Sequence, residues 1–107
     1  MIDIKYKDLH VEEFKEKMVE PDTVILDVRD ESEMVEGFIE GYELINMFSP
    51  DFINRLEDLD RDKTYLVYCR SGNRSAQTCG LMTRMGFERV YNLNGGIMAW
   101  NWFSNHR

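Results

Sequence analysis

A cysteine stands at the end of a short apolar run and is followed by a loop rich in hydrogen-bond donors. The run and the loop read YLVYCRSGNRS over Tyr65–Ser75, and Cys69 is the first residue after the apolar segment. A thiolate is the nucleophilic form of cysteine, and cations, backbone amides and a helix N-terminus all stabilise it. Arg70 and Arg74 supply positive charge, and Gly72 permits a positive φ that turns successive amides toward one point. The sequence therefore predicts a reactive thiol inside an anion-binding loop.

Short polar side chains complete this loop. Ser71, Asn73 and Ser75 can hydrogen-bond to the nearby backbone and hold its shape. We interpret the segment from Cys69 to Ser75 as a cradle for an anion or for a persulfide, which needs no general base. The alternative is a buried cysteine that precedes an ordinary strand-to-helix turn, since free cysteines are common in protein cores.

Composition and charge narrow the class of protein. The 107 residues, 43% of them apolar, predict one globular domain over residues 1–107. A net charge of −7 argues against nucleic acid and an anionic membrane as partners. No apolar stretch approaches the roughly 20 residues of a membrane-spanning helix, and the N-terminus has no signal-peptide core. We therefore expect a cytoplasmic protein, and a monomer because no heptad repeat is present.

The remaining sulfur and imidazole groups are few. The two cysteines, Cys69 and Cys79, and the two histidines, His10 and His106, match no metal-ligand spacing. We expect free thiols, no metal and no organic cofactor. Cys79 shares a helical face with Ala76 and is predicted to pack inward, and a role as a resolving thiol for Cys69 is the alternative.

The elements that must position the cysteine alternate along the chain. Strands are predicted at Ile2–Tyr6, Val24–Val28, Leu44–Met47, Thr64–Tyr68 and Arg89–Leu93. Helices are predicted at Val11–Met18, Glu31–Glu36 and Arg74–Met85, with two more starting at Ser49-Pro50-Asp51 and at Gly95-Gly96. This order predicts an α/β fold with an open, mostly parallel sheet of five strands and helices on both faces. Ligands bind such sheets beyond the carboxyl ends of the strands, where Cys69 falls.

Three segments resemble the signatures of the rhodanese, or sulfurtransferase, family. They are VILDVRDESEMVEGFIEG, YLVYCRSGNRSAQTCGLMTRMGF and VYNLNGGIMAW, and together they span about Ile4 to Trp100 in the family's order. The resemblance implies a rhodanese-like, three-layer α/β/α fold. It also implies that Cys69 accepts a sulfane sulfur as a persulfide and passes it to an acceptor, for which thiosulfate to cyanide is the usual test reaction.

The implied partners are a small anionic sulfur donor, such as thiosulfate or polysulfide, and a thiol or cyanide acceptor; a thiol-carrying protein also remains open. The spacing from Cys69 to Arg74 is C-x4-R, whereas related cell-cycle phosphatases and similar arsenate reductases carry C-x5-R, and phosphate needs a wider cradle than one sulfur atom. Loop length thus favours sulfur transfer. The alternatives are a phosphatase-like or arsenate-reductase-like enzyme and a non-catalytic sulfur carrier or partner-binding domain.

Several charged residues have two interpretations each. Asp27 and Arg29 have a functional interpretation, in which they organise the cysteine loop or the rim of the pocket. The alternative is a structural ion pair or hydrogen bond, with Glu33 suggested as the partner of Arg29, and we favour this structural interpretation. Arg74 either binds substrate oxygens or braces the loop through an acidic partner. Arg70 is the better candidate for attracting an anionic donor.

Other positions are predicted to be structural. Phe38 stands where the family usually has His, which bears on the local turn and not on the chemistry. His10 is expected at a helix start. Trp100, Trp102 and Phe103 are predicted to pack in the core, and a partner surface is the alternative.

Overall fold

The computed structural model describes residues 6–106, which form one sheet with helices on both faces. The strands are β1 Lys7–Leu9, β2 Thr23–Asp27, β3 Glu43–Leu44, β4 Thr64–Tyr68 and β5 Arg89–Leu93. The helices are α1 Val11–Met18, the 3-10 helix Glu31–Glu36, α2 Phe52–Glu57, α3 Asn73–Arg84 and α4 Gly96–Asn105. The order across the sheet is β1-β5-β4-β2-β3, and every neighbouring pair is parallel. The predicted α/β fold with five parallel strands is confirmed.

The central strand β4 is buried along its whole length, which explains its continuous apolar sequence. Its side chains alternate between two hydrophobic clusters on opposite faces of the sheet. Tyr65 and Val67 enter the cluster formed with α2 and α3, and Leu66 and Tyr68 enter the cluster formed with α1 and α4. Because Cys69 follows this strand directly, it leaves the sheet at the middle of its carboxyl edge.

The helices on each face bury apolar side chains at helical spacing. Phe14 of α1 is fully buried and meets Trp100 of α4 edge to face, with ring centroids 6.3 Å apart. On the other face, Leu56 of α2 and Met82 of α3 are fully buried. None of the helices in residues 6–106 is long and apolar enough to cross a membrane.

Two predicted strands have different positions. The strand expected at Ile2–Tyr6 falls mostly outside the described residues, and the first strand that the structure describes is β1. In place of the strand expected at Leu44–Met47, the structure has β3, which covers only the two residues Glu43–Leu44. Beyond β3 the amides of Ile45 and Met47 bond to the carbonyls of Asp27 and Val28, 2.9 and 3.0 Å away, as the chain leaves the sheet.

The predicted start of α2 is wrong. Asp51 is the residue before the helix, and the helix begins at Phe52. The Ser49 hydroxyl bonds to the Asp51 carboxylate and caps no helical amide. Pro50 therefore lies in the turn before the helix and not at its first position.

The C-terminal aromatic residues divide between core and surface. Trp100 is partly buried against Phe14, as predicted. The prediction of core packing is wrong for Trp102 and Phe103, which are 54% and 43% exposed. Their rings contact each other with centroids 5.1 Å apart on the outer side of α4.

The N-terminus of α4 binds the backbone of the cysteine loop. The amides of Ile97 and Met98 donate to the carbonyls of Cys69 and Arg70, at 2.8 and 3.1 Å. Gly96 lies against the same two carbonyls with a φ of +60°, and a Cβ there would stand 2.5 Å from both oxygens. A residue without a side chain is therefore required where the helix meets the loop.

Gly96→Ala is expected to lower the free energy of unfolding by about 3 kcal/mol or more. The methyl group collides with backbone atoms, and the left-handed conformation adds a strain of roughly 1–2 kcal/mol. Urea denaturation measures the loss. Gly86→Ala is the matched control, because Gly86 also has a positive φ, +99°, but nothing within 4 Å of an added Cβ. Equal losses in the two variants would contradict the assigned contact.

Candidate active site

Three hydrogen-bond donors converge on the sulfur of Cys69. The Gly72 amide lies 3.1 Å from Sγ, the Ser75 amide 3.3 Å and the Ser75 hydroxyl 3.2 Å. Only 1% of the Cys69 surface is exposed. The sulfur thus sits at the N-terminus of α3 among groups that stabilise negative charge, inside a site that excludes water.

Hydrogen bonds from α4 and from β5 hold the backbone of the cysteine loop. The carbonyls of Cys69 and Arg70 point to the N-terminus of α4, and Gly72 has a φ of +105°. The Gly72 carbonyl accepts a bond of 3.3 Å from Nδ2 of Asn92, which also donates to the Asp8 carboxylate at 2.8 Å. The positive φ that the sequence predicted for Gly72 is confirmed.

Arg74 braces the loop through an acidic partner. Its Nη1 and Nη2 lie 2.9 and 2.7 Å from the two carboxylate oxygens of Glu33, in a bidentate ion pair that is mostly buried. The hydrogen bonds from Arg74 lower the pKa of Glu33 to about 2, against the opposing effect of partial burial. The charge of Arg74 is therefore matched inside the protein.

Arg70 lies at the rim of the site and is also paired. Its Nε is 3.0 Å from the Glu36 carboxylate, and the two side chains are 50% and 43% exposed. Glu36 belongs to the same 3-10 helix as Glu33. This short helix thus contacts both arginines of the loop.

Asp27 and Arg29 form an ion pair that is completely buried behind the loop. Arg29 Nη2 lies 2.8 Å from the Asp27 carboxylate and 2.9 Å from the carbonyl of Gly37, and the guanidinium stacks over the Tyr68 ring at 5.3 Å. The contact suggested with Glu33 is a hydrogen bond and not an ion pair, because Arg29 reaches the Glu33 carbonyl, at 3.3 Å. The pair supports the strand end before Cys69 and makes no hydrogen bond to the sulfur among the contacts described.

Cys79 packs inward, as predicted. Its side chain is fully buried in the cluster between α3 and the sheet, and both cysteines are free thiols. Burial raises the pKa of the Cys79 thiol well above its ordinary value, and the nearby charges of Asp8 and Cys69 act in the same direction. A protonated thiol is a poor nucleophile, which disfavours a resolving role.

The predicted structural positions at the surface agree with the fold. Phe38 is half exposed and packs against Tyr42, with ring centroids 5.4 Å apart. His10 precedes α1, and its amide donates to the Glu13 carboxylate at 3.0 Å. Within residues 6–106, no group of three or more His, Cys, Asp or Glu side chains is placed to hold a metal ion.

Three residues that shape the site were not predicted from the sequence to do so. Asn92 is a polar residue inside the otherwise apolar end of β5, and that anomaly was a usable signal. The pairings of Glu33 with Arg74 and of Glu36 with Arg70 join residues 41 and 34 positions apart, so local patterns carry no trace of them.

Comparison with known proteins places this fold and loop in one family. The rhodanese-like domain family matches residues 10–101. YtwF of Bacillus subtilis, a sulfurtransferase by name, is 35% identical over 98 residues, which is 91% of this chain and 92% of that protein. A sulfurtransferase of Allochromatium vinosum is 35% identical over 79 residues, or 74% of this chain and 72% of that protein. The chain belongs to the rhodanese-like family.

Solved structures agree with this assignment. A rhodanese-related protein from Thermoplasma volcanium superposes with a TM-score of 0.79 at 28% identity, covering 92% of this chain and 93% of that one. A different kind of relative is the tRNA uridine(34) hydroxylase of Bacillus velezensis, which is 35% identical over 98 residues. That match covers 88% of this chain but only 30% of the hydroxylase.

Glu33→Gln is expected to reduce stability in a pH-dependent way. The folded pKa of Glu33, about 2, lies below the ordinary value of 4.5, so the pair contributes fully above pH 4.5 and is lost as the pH falls toward 2. Because 21% of the side chain is exposed, screening limits the effect to about 1–2 kcal/mol at pH 7. Urea denaturation at several pH values measures it.

Glu88→Gln is the control for this experiment, because it removes an exposed carboxylate beside the start of β5, at the opposite edge of the sheet. The difference between wild type and Glu33→Gln should shrink between pH 4.5 and 2. A difference that stays constant over that range would contradict the role of the Glu33 charge.

Proposed function

We propose that this chain is a rhodanese-type sulfurtransferase that works through a persulfide on Cys69. The observation that carries the proposal is the convergence of the Gly72 amide and both Ser75 donors on Sγ. Family membership and the sulfurtransferase names of two relatives support the reaction class.

The reaction is a double displacement at sulfur. The Cys69 thiolate attacks the sulfane sulfur of a donor such as thiosulfate or polysulfide; the donor's S–S bond breaks, and its electron pair leaves with sulfite or the shortened polysulfide. Cyanide or a thiol then attacks the outer sulfur of the persulfide and restores the thiolate. Neither step needs a general base, which is consistent with a site where Cys69 is surrounded by donors.

The remainder of the loop is proposed to hold the outer sulfur. The amides of Gly72 and Ser75 already donate hydrogen bonds to the sulfur of Cys69. We propose that the amides of the intervening loop residues donate to the transferred sulfur atom. With Cys69, the proposed loop comprises Arg70, Ser71, Gly72, Asn73, Arg74 and Ser75. Asp27 and Arg29 are proposed to act as supporting residues, because their contacts reach Tyr68 and Gly37 but not the sulfur. No cofactor is required by this chemistry.

The alternative enzyme classes have weaker support. The C-x4-R loop is one residue shorter than the C-x5-R loop of the related phosphatases, and both arginines that would bind an oxyanion carry a glutamate partner. Since the chain spans about a third of the tRNA hydroxylases that it matches, their activity is not proposed for it. A single domain over residues 1–107, a cytoplasmic location and a monomeric state remain predictions.

Intact mass spectrometry tests the persulfide. After incubation with thiosulfate or polysulfide, the wild type is expected to gain the mass of one sulfur atom, and cyanide should remove it. Cys69→Ala should gain nothing, whereas Cys79→Ala, the matched loss of the other thiol, should behave as the wild type. No gain from thiosulfate, from polysulfide or from an organic persulfide, or a gain that persists in Cys69→Ala, would overturn the proposal.

Ser75→Ala tests the donors around the sulfur. Loss of a hydrogen bond to a charged group costs about 1.5–3 kcal/mol, so kcat/KM for sulfur transfer to cyanide should fall by roughly 10-fold to 100-fold. Ser104→Ala, a serine near the end of α4, is the control and should keep the wild-type rate. A Ser75→Ala enzyme with unchanged kcat/KM would show that this hydroxyl does not act on the reacting sulfur.

A further inference from the structure

Both cationic side chains of the cysteine loop are neutralised by one short helix. Glu33 holds Arg74 in a bidentate pair, and Glu36 holds Arg70 with a distance of 3.0 Å at the rim. An incoming anion therefore meets no unmatched guanidinium from the loop. What remains to attract it is the field of backbone amides and the N-terminus of α3, which acts at short range around Sγ.

The surroundings of the loop oppose a doubly charged ligand. The 3-10 helix reads ESEMVE and follows Asp30, so two carboxylates, those of Asp30 and Glu31, lie on the same segment in addition to the two that pair with the arginines. The whole chain carries a net charge of −7. A dianion that approaches the loop is repelled by this field twice as strongly as a monoanion, because the energy is proportional to its charge.

Two exposed apolar residues adjoin positions that contact the same loop. Val35 lies between the helix residues that bind the two arginines and is 92% exposed. Met98, whose amide bonds to the Arg70 carbonyl, is 51% exposed. An organic group attached to a donor sulfur can bury these side chains on binding, whereas an inorganic sulfur anion cannot.

We infer that Glu36 is a specificity-determining residue that directs the site toward singly charged organic persulfides with an apolar substituent and away from thiosulfate. The inference rests on the proposed function. In the step concerned, the monoanion R–S–S⁻ takes up one proton from solvent and reacts as R–S–SH. The Cys69 thiolate attacks the terminal sulfur, the S–S bond of the donor breaks, and its electron pair leaves as R–S⁻. The proton stays on the transferred sulfur, so Cys69 becomes Cys–S–SH with no net oxidation.

The wild-type enzyme provides the first test. Benzyl persulfide and thiosulfate are compared as donors, with cyanide as acceptor, by kcat/KM and by intact mass of the sulfur-loaded Cys69. We expect benzyl persulfide to be the better donor by about tenfold or more. Transfer from both donors with thiosulfate the better one would overturn this inference and leave the proposed function standing. Transfer from neither would overturn both.

Glu36→Gln provides the second test, because it frees the charge of Arg70 without touching the sulfur. At low ionic strength kcat/KM for thiosulfate should rise by about two- to fivefold, and the gain should fade as salt screens the charges. For benzyl persulfide the change should stay within about twofold. Glu88→Gln removes an exposed charge at the opposite edge of the sheet and should leave kcat/KM unchanged for both donors.

A Glu36→Gln enzyme that gains nothing with thiosulfate would overturn the assigned role of Glu36. An equal gain with both donors would also overturn it, since the effect would then be independent of ligand charge. A rise of kcat/KM for thiosulfate in Glu88→Gln as large as that in Glu36→Gln would show that the net charge of the protein, and not Glu36, determines the rate.

Discussion

The hydrogen bonds from the start of α4 to the carbonyls of Cys69 and Arg70 fix the first two peptides of the cysteine loop. In each planar peptide the C=O and N–H groups point in opposite directions, so these bonds also set the direction of the Arg70 and Ser71 amides. The amides that bond to the sulfur, those of Gly72 and Ser75, follow directly after this fixed stretch. Gly96 makes this approach possible because it has no side chain between helix and loop. Two helices thus meet at the thiol, one beginning at the loop's end and the other binding its start.

A second constraint lies beneath the loop. Burying the charges of Asp27 and Arg29 is costly unless they are paired and their remaining hydrogen-bonding groups are satisfied. Arg29 meets this condition by bonding to the carbonyls of Glu33 and Gly37, and so holds the middle and the C-terminal end of the segment that carries the acidic residues. The ion pair is therefore linked to the cysteine loop through Glu33, whose carboxylate holds Arg74.

The charges around the site separate two tasks. Backbone amides and the start of α3 are rigid dipoles that need little reorganisation when charge moves onto or off the sulfur. The arginines, each matched by a glutamate, contribute instead to the shape of the loop. The role that we propose for Glu36 adds the choice of donor.

The local pattern of the sequence determined most elements and the reactive position. The apolar run Thr64–Tyr68, the helix Val11–Met18 and the strand Arg89–Leu93 were predicted with their observed bounds, because burial on two faces or one leaves a direct trace in residue spacing. The position of Cys69 beyond the central strand followed from strand and helix alternation. The buried state of Cys79 followed from helical periodicity.

Tertiary structure alone decided the ion-pair partners, the exposure of Trp102 and the true start of α2. Arg29 had several acidic residues nearby, and the choice of Asp27 over the Glu33 carboxylate depended on where Arg74 arrives from 41 positions away. Charge pairing depends on distances through space, and apolar periodicity does not say where a helix end projects beyond the sheet. Residue types can propose such contacts, but only the folded chain selects among them.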